Sequence, residues 1–471
     1  MTLGKLCGLP PKEQSLFSRR DLWRLIFPII IQQILLFITG TVDTVMVAAV
    51  GDPAVSGVSL VNTLDTLLIL FFNSLVTGGT VVVAQIWGSG DHPRARRVAK
   101  QLTWAAVGMA TLLTAVILLV RDPLLTALFG EVEADVMGYA RDYLFWIAFS
   151  FPFLAVVNTV GSLFRVVGDT FRPMIVTLVV NVLNVGGNAL LIFGLGLGTA
   201  GAAMSTTLVR ILAAVLLFVM MQKKLHPIYL EKPWKYRPDF SVIKKILAIG
   251  VPNGVEDGMF QFGRLLTQSL ISSMGTAVIA ANSVALQLCN FQYMVGGAFS
   301  AAIIAVVGRC VGAGDRGQAR GYSRLLLLLS YFSVGAVALF TATLSVPLVG
   351  IFHLSAESTA LGVQLTVFHC IVAVLIWPSG FVLPSSFRAA GDVRFPLIVS
   401  LCCMWILRVA GAYLLALPSV SVFGWFSIPG FGLGIWGVWF AMIADWIVRV
   451  LFYLIRYFSG AWLKKKSIAE D

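Results

Sequence analysis

The sequence predicts an all-α integral membrane protein with twelve transmembrane helices. They form two six-helix bundles related by a pseudo-two-fold axis along the membrane normal. Three observations predict this. The 471 residues are 58% hydrophobic and only 12% charged, with a mean hydropathy of +0.90, whereas soluble domains run at roughly 45–50% apolar and about 25% charged. The apolar residues fall into twelve long runs, of a length suited to a hydrocarbon core about 30 Å thick. The two halves also repeat one another at a nearly fixed offset.

Residues 1–24 read as a cytoplasmic N-terminal segment. They are polar and basic (Lys12, Arg19, Arg20, Arg24), with no apolar core or cleavage site of a signal peptide. The first six runs lie near 25–49, 57–87, 98–120, 138–160, 173–194 and 201–221, making a bundle over 25–221. A cytoplasmic linker at 222–245, rich in Lys and Pro, separates it from the second bundle at 246–457. The runs there lie near 247–272, 278–308, 322–349, 362–384, 396–417 and 432–457, and 458–471 form a cytoplasmic tail. The six cysteines, at 7, 289, 310, 370, 402 and 403, show no metal-ligand spacing and read as small apolar residues without disulfides.

Loop charge fixes the orientation. Basic residues gather in alternate loops: the N-terminus, Arg94 with Arg96 and Arg97, Arg165 with Arg172, and Lys223, Lys224 and Lys232. The series continues with Arg316 and Arg320, Arg388 and Arg394, and the tail Lys464 to Lys466. The opposite loops carry Asp52, Glu131, Glu133, Asp135 and Glu357. By the positive-inside rule both termini are cytoplasmic and the chain is multi-pass in the cell membrane. The net charge of +12 therefore belongs to membrane orientation, and no nucleic-acid partner is expected.

The repeat is specific. On a shift of 224, Pro28 matches Pro252 and Gly51 matches Gly275. Gly88, Gly90 and Asp91 match Gly312, Gly314 and Asp315, and Ala95 and Arg96 match Ala319 and Arg320. On a shift of 223, FRVVGD at 164–169 matches FRAAGD at 387–392, and Pro173 matches Pro396. Each half has an even number of spans, so both insert the same way up, with a substrate path expected between them. The turns WGSGD and VGAGD end membrane helices beside arginines, which favours tight turns with a basic anchor over phosphate cradles.

Asp43 is the one ionisable side chain of the first run. It lies about 22 Å along a helix from Pro28, at about 1.5 Å per residue, and so deep in the membrane. A carboxyl group there is expensive and by default does work on ions or protons. Asp65, in the second run, is a further buried acid that either shares its cavity or sits near a helix end. In the second half Glu256 and Asp257 precede Arg264, while Arg408, Asp445 and Arg449 lie in the last two runs. Three acids and three bases in one bundle invite mutual neutralisation, so they read as a structural or gating network. His369, alone in the tenth run, reads as a packed core residue.

The chain resembles the multidrug and toxic compound extrusion (MATE) family. The resemblance rests on VDTVMV at 42–47, the paired Gly-Gly-Asp and F-R-x-x-G-D loops, NVGGNALLIFG at 184–194, TAGAAMST at 199–206 and GIWGVW at 434–439. It implies alternating access and export of organic cations and drugs against inward H⁺ or Na⁺. It places Asp43, Asn184, Asn188 and Thr206 at the family's coupling positions, with an amide at 188 where many relatives carry an aspartate. Positions that carry acids in one branch of the family are Phe260 and Trp377 here, which puts that branch's cation site in the second bundle in doubt.

The expected function is a secondary antiporter exporting cationic or amphipathic organic compounds, driven by H⁺ in preference to Na⁺ because the first-bundle cluster offers a single carboxylate. A lipid-linked-precursor flippase of related fold stays open as the alternative, with the buried acids arguing against an anionic headgroup. No metal, nucleophile or nucleotide motif of an enzyme is present, and no cofactor or structural metal is expected. The expected partners are small organic substrates and the lipid bilayer, with the chain acting as a monomer.

Overall fold

The computed structural model describes residues 7–11, 14–130, 133–222, 227–230, 236–422 and 426–468. Lys12, Glu131, Lys223, Lys224 and Lys232 of the charge pattern lie outside them. Ten described helices are long and apolar enough to cross a membrane. A bent pair, Ala134–Phe149 with Phe151–Val167 at 46°, makes an eleventh span. The bend falls at Ser150 and Pro152, where the missing proline N–H interrupts the helical ladder. The remaining run is also helical, Phe240–Ser272. Asn253, Glu256, Asp257 and Gln261 in its middle hold its hydropathy down, which separates the twelve runs expected from the count by composition.

The repeat is carried into the elements. Asp52–Gly88 and Thr276–Gly312 are both 37 residues long, and His92–Leu119 and Arg316–Thr343 are both 28. Each pair is displaced by 224. Gly90 and Gly314 adopt positive φ, 85° and 76°, which a side chain disfavours. Asp91 and Asp315 then cap the next helix, accepting from Arg94 N at 3.0 Å and Gln318 N at 2.8 Å. The matched turns therefore act as helix stops and starts. Gly201 and Gly437 have a different task, close helix approach. A Cβ on Gly201 would meet the Leu191 backbone at 2.9 Å, and one on Gly437 the Leu415 backbone at 2.5 Å. Leu191 and Leu415 are themselves 224 apart, so the two glycines are equivalent.

Packing contacts divide the chain into two compact units, Phe17–Gly254 and a second made of Met1–Leu16 with Val255–Asp471. The start of the Phe240–Ser272 helix belongs to the first unit because backbone meets backbone there. A Cβ on Gly78 would lie 2.6 Å from Gly250 N. The N-terminal stretch belongs to the second through Gln318, whose Oε1 accepts from Leu16 N at 2.8 Å while Nε2 donates to Gln14 O at 3.0 Å. A short hairpin, Ser419–Val422 paired antiparallel with Phe426–Pro429, precedes the last long helix, Ile435–Phe458.

In the first unit, Arg19–Ala48 begins with a capping box. Ser18 Oγ accepts from Asp21 N at 3.2 Å, and Asp21 Oδ2 accepts from Ser18 N at 2.9 Å. Pro28 leaves the Arg24 carbonyl without its helical donor, and the Thr170 hydroxyl supplies one at 2.9 Å. In hydrocarbon such a freed group needs a protein partner.

Candidate functional site

Two polar bonds hold Arg19–Ala48 in register beside Phe171–Asn188. Gln32 Nε2 donates to Thr177 Oγ1 at 3.1 Å, and Asn181 Nδ2 donates to Leu35 O at 3.0 Å. Further along, Asn188 Nδ2 donates to Asp43 Oδ1 at 2.5 Å. Immediately after Asn188 the helix loosens into a π-helical stretch, Ala189–Gly194, a geometry frequent at functional sites. Asn184 points its amide toward Gly198–Gln222, with Nδ2 3.5 Å from Ser205 Oγ and 3.4 Å from Thr206 Oγ1. Ser205 Oγ returns a bond to Asn184 O at 3.1 Å. The four residues marked from the sequence in this bundle are thus brought together.

Asp43, Asp65, Asn62, Tyr143, Thr206 and Arg210 face one cavity of about 330 Å³. This places Asp65 in the same cavity as Asp43. The two acids differ in their partners. Asp65 pairs with Arg210 Nη2 at 3.4 Å, and Arg210 Nη1 donates to Ser150 Oγ at 2.6 Å. Asp43 has no ion-pair partner among the described residues and rests on the neutral Asn188 amide. Arg210, Ser205 and Tyr143 were missed in the sequence reading. Arg210 was detectable as a base inside an apolar run, one helical turn after Thr206. Three oxygens here, Asp65 Oδ1, Asn184 Oδ1 and Asn188 Oδ1, are buried and accept no hydrogen bond.

In the second unit Arg408, Asp445 and Arg449 come together, while Glu256 takes a partner outside the six charges named from the sequence. Glu256 does not pair with Arg264, because eight helical residues separate them by about 12 Å. It pairs with Arg388 Nη2 at 2.8 Å. Asp257 lies close enough to Arg388 for the two charges to interact. Asp445 Oδ1 meets Arg449 Nη2 at 2.9 Å, and its Oδ2 lies 3.8 Å from Arg408 Nη1. Phe260 lies beneath both guanidiniums, 5.4 Å from Arg408 and 5.6 Å from Arg449, a cation–π arrangement. Trp377 stacks on Tyr293 at 5.3 Å. The buried His369 shares a 2.8 Å hydrogen bond with Tyr293 Oη. Among the described residues no group of three or more His, Cys, Asp or Glu is placed to hold a metal ion.

Duplicated membrane-spanning bundles with an isolated acid in a polar cavity define a polytopic transporter, not an enzyme. The model of the MatE family matches residues 28–190 and again 252–414, and the chain belongs to that family. It is 28% identical to an uncharacterized transporter, YisQ, of Bacillus subtilis over 458 residues, covering 94% of this chain and 95% of the relative. It is 27% identical to the "Probable multidrug resistance protein NorM" of Thermotoga maritima, covering 98% and 97%. Among solved structures, a crystal structure of MATE in the bent conformation superposes with a TM-score of 0.83 at 18% identity, over 99% of each chain.

Proposed function

We propose that the chain is a secondary active antiporter that exports cationic or amphipathic organic compounds in exchange for protons by alternating access. It acts as a monomer in the cell membrane with both termini cytoplasmic. Asp43 carries the reading. It is the acid of the first cavity that lacks a cation, so its charge is free to be exchanged between a proton and a positively charged cargo. Asp65 is committed to Arg210 and serves the shape of the cavity. Asn188 holds the carboxyl against the Phe171–Asn188 helix, and Asn184 ties that helix to Gly198–Gln222 through Ser205 and Thr206. The relatives named as multidrug resistance proteins support export of drug-like compounds. Loops bearing Arg94, Arg96 and Arg97 on one side and Glu133 and Asp135 on the other support the orientation.

Sodium is the second reading, and the three unpartnered oxygens of Asp65, Asn184 and Asn188 favour it, since hard oxygen donors are what such a cation seeks. The flippase alternative is disfavoured by the net negative charge that Asp43 leaves in the first cavity, where Arg210 offsets Asp65, since it repels an anionic headgroup. The test is transport of an organic cation in proteoliposomes, with pH and Na⁺ gradients imposed separately. Uptake driven by a pH gradient in the absence of Na⁺ supports the proton reading, and uptake that needs Na⁺ replaces it.

A further inference from the structure

The cavity that Asp43 faces has a twin in the second unit. That twin is about 180 Å³ in volume and is lined in part by Arg264, Thr267, Asn282, Arg408, Trp439 and Met442. On the 224 shift set by the two family matches, Arg264 stands where the first unit has Gly40, Thr267 where it has Asp43, and Asn282 where it has Val58. The Asn184 counterpart is Arg408, from the alignment of NVGG at 184–187 with RVAG at 408–411. The preceding FRAAGD motif keeps a shift of 223, so the second half carries one extra residue between the two motifs. The helix absorbs it in the π-helical stretch Cys403–Ala410, which holds Arg408. The shift of 236 fixed by Gly201 and Gly437 pairs Thr206 with Met442. The pocket has been kept through duplication while its charge has been inverted. The first has two acids and one base; the second has two bases and no acid in its lining.

We infer that this second cavity binds a small aromatic monocarboxylate. Trp439 Nε1 donates to Asn282 Oδ1 at 3.1 Å, and because an indole N–H only donates, the amide orientation is fixed. Asn282 Nδ2 is then a buried donor without a partner, and Arg408 Nε is another; Asn282 is 1% exposed and the Arg408 side chain 11%. A carboxylate supplies the acceptors that two such donors lack, and a planar guanidinium matches its geometry. Asp445 is one acid between two bases, Arg449 at 2.9 Å and Arg408 at 3.8 Å, and Arg264 has no ion-pair partner among the described residues, so positive charge is in excess around the cavity. Its small volume, not the charge, limits the ligand to one carboxylate. Leu265, Ile271, Leu286, Val438 and Met442 supply apolar walls. An apolar cavity of about 150 Å³ takes a benzene-sized body, so this one is large enough for a ring bearing one carboxylate.

The proposal does not depend on which ion drives transport, and its test uses no gradient. Sodium benzoate, benzamide and methyl phosphate are titrated by calorimetry into the purified full-length chain in detergent. The expected result is saturable benzoate binding about tenfold or more tighter than benzamide, weakened about tenfold or more by Arg264→Gln, with an unchanged melting temperature. The benzoate–benzamide comparison needs no variant and stands if that variant fails to fold. No saturable benzoate binding, equal affinity for benzamide, equal affinity in the folded variant, or tighter binding of methyl phosphate each overturns the assignment.

Discussion

Asn188 Nδ2 reaches Asp43 Oδ1 across 2.5 Å, joining the first long helix of the chain to the end of the Phe171–Asn188 helix where its geometry turns from α to π. The bond links the one unpaired acid of the first cavity to a helix segment with a loosened ladder. A change of charge on Asp43 would therefore bear directly on the packing of two membrane helices. A single carboxyl can in this way couple ion occupancy to helix position.

The first prediction follows from that bond. Asp43→Asn keeps the shape and removes the titratable charge. Coupled efflux should fall to the background of protein-free liposomes, while expression and melting temperature stay close to wild type. Efflux at wild-type rate in the purified variant would show that the coupling group lies elsewhere.

A second prediction concerns Arg210, the partner of Asp65 at 3.4 Å. Removing one member of a partly buried pair leaves the other charge uncompensated, at a cost below the ~3 kcal/mol of a fully buried one. Arg210→Met should therefore melt below wild type in detergent. Arg210→Met combined with Asp65→Asn should recover part of the loss, because the stranded charge is gone. A double variant no more stable than Arg210→Met would mean that Arg210 acts through its bond to Ser150 instead.

Topology gives a third. Cys402 is the exposed native cysteine among the described residues, so labelling uses a Cys402→Ser background. A cysteine introduced at Glu133 should react with an impermeant thiol reagent on intact cells, and one at Arg94 only after permeabilisation. The opposite pattern would reverse the direction of transport as well as the orientation.

The fold was legible because a membrane solvent makes sequence rules strict. A segment without water must satisfy its own backbone, so apolar length reads directly as helix. Duplication then repeats every stop, such as Gly90 with Gly314. Asp43 was legible for the same reason, as a charge that the solvent penalises. Partner choice was not. Arg388 finds Glu256 across 132 positions of chain, and Arg210 finds Asp65 across 145. Such separations carry no local pattern. Spacing along a helix likewise says nothing of what a third helix brings, as Arg388 does to Glu256. The twin cavity was hidden likewise: its lining comes from four separate segments, and the polarity change needs all four in view.

The last prediction concerns the coupling ion. A proton site needs one carboxyl whose affinity changes between states, whereas a bound Na⁺ wants several placed oxygens and net negative charge. The first cavity offers Asp43 unpaired and Asp65 already neutralised by Arg210, so the exchangeable negative charge is one. In the proposed proton mechanism, a proton on Asp43 would remove that charge and its attraction for a cationic cargo, and its release on the cytoplasmic side would restore the attraction for the next cargo. Against this stand the unpartnered oxygens of Asn184 and Asn188, which a cation can use. Asp65→Asn separates the two. If Na⁺ drives transport, losing a ligand oxygen and a negative charge should raise the half-saturating Na⁺ concentration. If protons drive it through Asp43, the folded Asp65→Asn protein should keep pH-driven uptake in Na⁺-free buffer, even though it loses one member of the Asp65–Arg210 pair and should melt below wild type. Organic-cation uptake by wild type and Asp65→Asn, measured at a fixed pH gradient with Na⁺ removed and then restored, is the deciding comparison. Uptake that requires Na⁺ in wild type and ignores an uncoupler of the proton gradient would reject the proton mechanism.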